Sequence, residues 1–124
     1  ALDLSNGIKE QFTVSGNGKQ VRDILHADDM ISLYYTALEK HDSVSGKIYN
    51  IGGTMEQSLS LLELFDILDR ELGVEMKYEK LPPRLGDQKV FVADVGKICN
   101  DIGWKPKVSA TEGISSMLRW VGRL

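Results

Sequence analysis

The chain has 124 residues and a formal net charge of −3, with 42% hydrophobic and 27% charged residues, which describes one ordinary globular domain with a single core. That charge offers no general attraction to nucleic acid or to an anionic membrane, and no apolar run approaches the roughly 20 residues of a membrane span. Cys99 is the single cysteine, which excludes an internal disulfide and points to a reducing cytoplasm; with His26 and His41 as the only histidines, no structural zinc site is expected.

Residues 1–8 read as the last turns of a helix stopped at Asn6-Gly7, so the chain is expected to be a piece of a longer protein. Phe12-Thr13-Val14 then reads as a strand. Gly16-Asn17-Gly18 is a tight turn that suits a hairpin, with Val21 to Leu25 as the returning strand. A helix is predicted from Ala27 to about Lys40, with His26 at its N-cap and Asp29 in its acidic first turn. Met30, Leu33, Tyr34, Ala37 and Leu38 would form its buried stripe.

The stretch from His41 to Gly46 reads as a polar loop, and Lys47 to Ile51 as a mostly buried strand ending at Gly52-Gly53. Ser60 and Glu63 form a capping box for a helix running to Leu72, with Gly73 as its stop and Leu61, Leu64, Phe65, Leu68 and Leu72 inward. Val74 to Glu79 alternates apolar and charged residues like an edge strand. The two prolines and the glycine between Leu81 and Gln88 exclude regular structure there. A short strand, Lys89 to Ala93, leads to a helix capped by Asp94 and reaching about Ile102. Ser109 and Glu112 open the last helix, with Ile114, Met117, Leu118 and Val121 inward. About four helices with short mixed strands make the fold α+β, or the remnant of an α/β fold.

Neither the phosphate loop G-x-x-x-x-G-K-[ST] nor the dinucleotide fingerprint G-x-G-x-x-G occurs, since Gly16-x-Gly18 is followed by Val21 where the third glycine belongs. Carboxylates fall mostly at helix caps and on polar faces. Arg22, on a strand, offers a planar fork of donors to a phosphate or carboxylate; a surface ion pair with Asp23 or Asp28 is the plainer reading of its spacing. Arg84, in the proline-constrained loop, is similarly placed. Two such arginines suit a diphosphate, and Asp87 could accept hydrogen bonds from a ribose diol.

Several segments, in order, carry a resemblance across nearly the whole chain: Val21-Arg22-Asp23 with His26 and Asp29, Tyr49-Asn50-Ile51-Gly52-Gly53, Arg84-x-Gly86-Asp87, Ala93-Asp94 and Gly103-Trp104-Lys105-Pro106. They resemble the C-terminal half of the extended short-chain dehydrogenases that act on nucleotide sugars. Phe12 to Asp23, Asn50 to Thr54, Ser58 to Phe65 and Asp87 to Asp94 look most like the CDP-sugar 2-epimerases of that family.

The resemblance implies a small substrate-binding lobe over residues 1–124, which closes on an N-terminal Rossmann half that binds NAD. It implies that Arg22 and Arg84 grip the diphosphate, that Asp87 holds the ribose, and that the main chain of Phe12, Thr13 and Ser15 lines the base. Phe91 stands where the family's 4-epimerases commonly carry a tyrosine. The family's reaction oxidises the sugar with NAD and reduces it again from the other face. It uses a Tyr-x-x-x-Lys pair that this chain does not contain, so the chain alone is expected to be inactive. The partners implied are a nucleotide sugar and the Rossmann half, and the resemblance leaves room for a homo-oligomer. A lobe of another nucleotide-sugar epimerase or dehydratase, and a non-catalytic interaction module, are the competing readings.

Overall fold

The computed structural model describes residues 12–122. Five strands are present: β1 (Phe12–Ser15), β2 (Val21–Asp23), β3 (Ser58–Ser60), β4 (Tyr78–Leu81) and β5 (Val90–Phe91). Five helices accompany them: α1 (Ala27–Glu39), α2 (His41–Val44), α3 (Leu61–Leu72), α4 (Gly96–Ile102) and α5 (Ala110–Val121). This is the mixed, small α+β arrangement the sequence predicts. The predicted helix tail at residues 1–8 lies outside the described residues.

Two compact units share these elements. Of the described residues, one takes 12–22, 59–91 and 114–122, and the other takes Asp23–Ser58 and Val92–Gly113. In the first, β1 lies parallel to β4, with Phe12 opposite Tyr78 and Ser15 opposite Leu81. Phe65 of α3 stacks on Phe12, with ring centroids 6.0 Å apart, and meets Tyr78 at 5.3 Å. Val14, Ile67, Leu68, Met76 and Ile114 are the buried apolar residues of this unit. The second sheet has the strand order β3-β2-β5, and β2 runs parallel to β5 with Val21 opposite Val90 and Arg22 opposite Phe91.

The predicted hairpin is therefore wrong. Both strands around Gly16-Asn17-Gly18 form and the turn glycines take positive φ (81° and 76°), but each strand pairs in parallel with a distant partner. An Asn-Gly turn favours reversal only when the two flanking strands have no better partners.

In the second unit Leu33 packs with Ala93, Val95, Ile98, Ile102 and Trp104, and Leu25, Met30, Ala37, Val44, Tyr49 and Ile51 close around them. The α1 stripe is narrower than predicted, because Tyr34 and Leu38 are exposed. His26 does cap α1, its Nδ1 accepting from the Asp28 amide at 3.2 Å. Asp29 is not a solvated first-turn charge. It is 4% exposed, and its carboxylate accepts from the amides of Lys107 (3.0 Å) and Val108 (2.9 Å).

Other boundaries also move. Residues 41–44 form the short helix α2 rather than a loop, and the edge strand predicted over 74–79 is regular only from Tyr78 to Leu81. The strand predicted at 89–93 shrinks to Val90–Phe91, and Val95 rather than Asp94 stands at the α4 N-cap, although Asp94 accepts from the Gly96 amide at 2.8 Å. On α5, Ile114 is buried, whereas Met117 and Val121 face solvent.

The predicted buried strand at 47–51 belongs to no ladder, and Ile48 is 87% exposed. Side chains brace this segment instead. Lys47 Nζ (2.9 Å) and Tyr49 Oη (2.6 Å) both donate to Asp101, while Lys97 donates to the Ile48 carbonyl and lies over the Tyr49 ring. Gly52 and Gly53 follow, buried so closely against Asp23, Ala93 and Ile24 that neither position has room for a Cβ.

Candidate functional site

The first unit uses one device twice. β1 and β4 run side by side and end together at Ser15 and Leu81, where the Gly16 amide donates to the Leu81 carbonyl. Each chain then crosses a short irregular segment, 16–20 or 82–89, and enters a second parallel pair at Val21 and Val90. The two crossings frame a cleft of about 570 Å³, lined by Ser15, Gly16, Asn17, Lys19, Gln20, Leu81, Pro83, Arg84, Asp87, Gln88, Lys89 and Val90.

Local chemistry fixes both crossings. Asn17 Oδ1 accepts from the Lys19 amide at 3.0 Å, an Asx turn that lets Gly18 take its positive φ. Gly18 also presses on Leu62, where a Cβ would come within 2.9 Å of Cδ2. Gln20 Nε2 donates to the Ser15 carbonyl at 3.1 Å and ties the crossing back to β1. On the other side the Asp87 amide donates to the Arg84 carbonyl at 3.2 Å, around Gly86 at φ 79°.

The structure brings Ser15, Arg84 and Asp87 together in the cleft lining. Arg22 lies beside it, donating Nη1 to the Val21 carbonyl (2.7 Å) and Nη2 to Asp87 Oδ1 (2.9 Å). Its ion-pair partner is thus Asp87, 65 residues away, and not Asp23 or Asp28. With side chains 41% and 33% exposed, that pair contributes about 1 kcal/mol or less to stability. Phe12 and Thr13 are not in the lining; Phe12 packs against Phe65, and Thr13 is exposed on β1.

Sequence reasoning passed over Lys19 and Lys89. Their signal was modest: one basic residue directly after the glycine turn, and one directly before a strand. Among the described residues neither lysine, nor Arg84, enters an ion pair.

A second polar cluster, Tyr49 with Asp101, lies in the other unit. Partial burial and then the hydrogen bond to the Asp101 carboxylate push the Tyr49 phenol up to about 12, so it stays protonated at neutral pH. The Tyr49 and Lys47 hydrogen bonds hold Asp101 below the usual carboxylate range. Among the described residues no group of His, Cys, Asp and Glu could hold a metal ion, and no helix is long and apolar enough to cross a membrane.

Comparison with known proteins gives consistent results. The family model described as GDP-mannose 4,6 dehydratase matches residues 2–117. CDP-paratose 2-epimerase of Salmonella typhi is 53% identical over 124 residues, which are 100% of this chain and 37% of that protein. dTDP-glucose 4,6-dehydratase of Shigella flexneri is 30% identical over 113 residues, 86% of this chain and 31% of that protein. Among solved structures, UDP-glucuronic acid 4-epimerase from Bacillus cereus, in complex with UDP-glucuronic acid and NAD, superposes with a TM-score of 0.84 at 26% identity. That match covers 97% of this chain and 38% of the other. The chain therefore spans about a third of the length of these relatives.

Proposed function

Because the chain belongs to the GDP-mannose 4,6-dehydratase family of nucleotide-sugar epimerases and dehydratases, we propose that it is the nucleotide-sugar-binding lobe of a CDP-sugar 2-epimerase. The reaction of the whole protein would be the 2-epimerisation of CDP-paratose, as its 53%-identical relative is named; in our reading the product is CDP-tyvelose. One observation carries the binding role. The cleft where two parallel strand pairs meet gathers Ser15, Arg84 and Asp87, with Arg22 bonded to Asp87 at its side.

In this reading Arg84 and Arg22 hold the diphosphate, Asp87 accepts from the ribose hydroxyls, and the β1 main chain from Phe12 to Ser15 meets the base. Fixed charge-assisted donors of this kind suit phosphate oxygens. In this reading NAD is held elsewhere: among the described residues the Gly16–Gly18 turn runs into β2 rather than into a helix N-terminus of the kind that cradles a pyrophosphate. NAD binding and the proton-transferring residues are assigned to the remainder of a longer cytoplasmic protein, a Rossmann half that this lobe would close upon. Alone, the lobe would bind without turnover.

Titration of backbone-assigned protein with CDP and then UDP, followed by NMR, tests the reading. Saturable shifts at Phe12–Ser15, Arg22 and Arg84–Asp87, stronger for CDP, are expected. Half a site should leave affinity near the millimolar range, about −4 kcal/mol. Equal responses to both nucleotides would keep a nucleotide-sugar lobe and discard the CDP assignment. Absence of shifts in this cluster, both for the chain alone and with the remaining part of the protein restored, would favour a non-catalytic interaction module.

A further inference from the structure

We propose that Lys19 and Lys89 form a second anion contact in the cleft, beside Arg84, and that this contact makes the site prefer a nucleoside diphosphate to a monophosphate. The inference rests on the nucleotide-binding reading above and deepens it. The first observation is one of charge. The protein carries 18 acidic and 15 basic residues, yet the cleft lining holds three cations, Lys19, Arg84 and Lys89, and one carboxylate, Asp87. That carboxylate is already paired with Arg22. None of the three lining cations enters an ion pair among the described residues. Unpaired cations converging on one concavity of an acidic protein raise the local concentration of anions there.

The second observation concerns Arg22. Both its terminal nitrogens are engaged, one by the Val21 carbonyl and one by Asp87. Two of its five N–H donors are thus used, so Arg22 keeps donors for a phosphate but shares its charge with Asp87. The cationic charge in the cleft that no carboxylate offsets is that of Arg84, Lys19 and Lys89. Lys19 and Lys89 reach the cleft from opposite crossings, one anchored by the Asn17 turn and the other entering β5. As compact point charges on long stems they can follow a phosphate whose position is set by Arg84. A monophosphate satisfied by Arg84 would leave them idle, whereas a diphosphate would use them.

The test is calorimetric titration of the wild-type chain, the double variant Lys19→Gln/Lys89→Gln and the single variant Arg84→Gln, using CDP, CMP and inorganic pyrophosphate as probes. The double variant is expected to bind CDP about tenfold more weakly, with CMP changed by less than about twofold. Its CDP affinity should also fall less steeply with salt, and Lys19→Arg/Lys89→Arg should restore binding. Both lysines are exposed, so amide spectra should show an unchanged fold in the double variant.

If CDP binds the double variant as it binds wild type while Arg84→Gln weakens it, the proposal is overturned and the nucleotide reading stands. Equal weakening of CDP and CMP overturns the diphosphate preference. If wild type ignores CDP but binds pyrophosphate in a lysine-dependent way, the anion contact stands and the nucleotide reading falls. Binding of none of the probes, by the chain alone and with the remaining part of the protein restored, overturns both.

Discussion

Asp29 shows how a single residue can be misjudged from its position. An acidic residue in a first helical turn ordinarily favours the helix dipole from solvent. Here the carboxylate points inward and is the acceptor for two consecutive backbone amides, those of Lys107 and Val108. Asp29→Ala would take from both amides their charged acceptor, and we expect a loss of about 2–4 kcal/mol in urea unfolding. A change within about 0.5 kcal/mol would show that the 107–108 segment finds other acceptors. The signal for this clamp is absent from the sequence because its partners are backbone atoms 78 and 79 residues away.

Tyr49 gives a second residue-scale test. Its phenol should titrate near pH 12 rather than 10 in an ultraviolet absorbance titration, and Asp101→Asn should bring it down. The sign follows from linkage. A group whose folded pKa is raised above its unfolded value contributes stability that is complete below pH 10 and lost as the pH rises through about 12. Ionisation of this tyrosine near 10 in the folded protein would rule out the bond to Asp101.

At the scale of elements, the four longer helices were legible, while the short α2 and the strand pairing were not. His26, Ser60 with Glu63, and Ser109 with Glu112 all sit where helices begin, and Gly73 and Gly103 take left-handed conformations where two of them end. Caps act within three or four residues, so sequence order reveals them. Strand partners are chosen by burial and register across the whole chain. The Asn17-Gly18 dipeptide therefore predicted its turn correctly and its hairpin wrongly. The cleft shared this fate: Arg84 and Asp87 were legible as neighbours in one loop, while the approach of the glycine turn with Lys19 was not.

Ser60→Ala should cost about 1 kcal/mol of stability at neutral pH. The Ser60 side chain and backbone hydrogen bonds hold Glu63 below its ordinary value of 4.5. A lowered carboxylate contributes stability present above its unfolded pKa and lost as the pH falls through the folded one. The difference between wild type and Ser60→Ala should therefore shrink as the pH falls below the ordinary carboxylate value of 4.5. Denaturant midpoints at neutral and acid pH measure this, and a difference that grew in acid would contradict the reciprocal cap.

For the molecule as a whole, an exposed apolar stripe on α1 departs from an ordinary surface. Ile31, Tyr34, Tyr35 and Leu38 are each more than half exposed and fall at i, i+3, i+4 and i+7, one continuous apolar stripe. Stripes of this kind favour association. Sedimentation velocity should show the mean mass rising with concentration, and Tyr35→Lys should suppress the rise. A single monomeric boundary at the highest attainable concentration would refute the expectation.

The division of the chain between its two units bears on how the protein is made. Neither unit is a continuous stretch: residues 59–91 of one are inserted between Asp23–Ser58 and Val92–Gly113 of the other. The buried cluster around Leu33 draws four of its members from residues 93–102 and a fifth from Trp104. A ribosome adds about 5–20 residues each second, so Leu33 must wait several seconds for its partners. During that interval α1 has no finished core on either face, and its tyrosines and leucines are open to chaperones. Slower synthesis across residues 59–91 should therefore lengthen the time for which that helix stays uncovered.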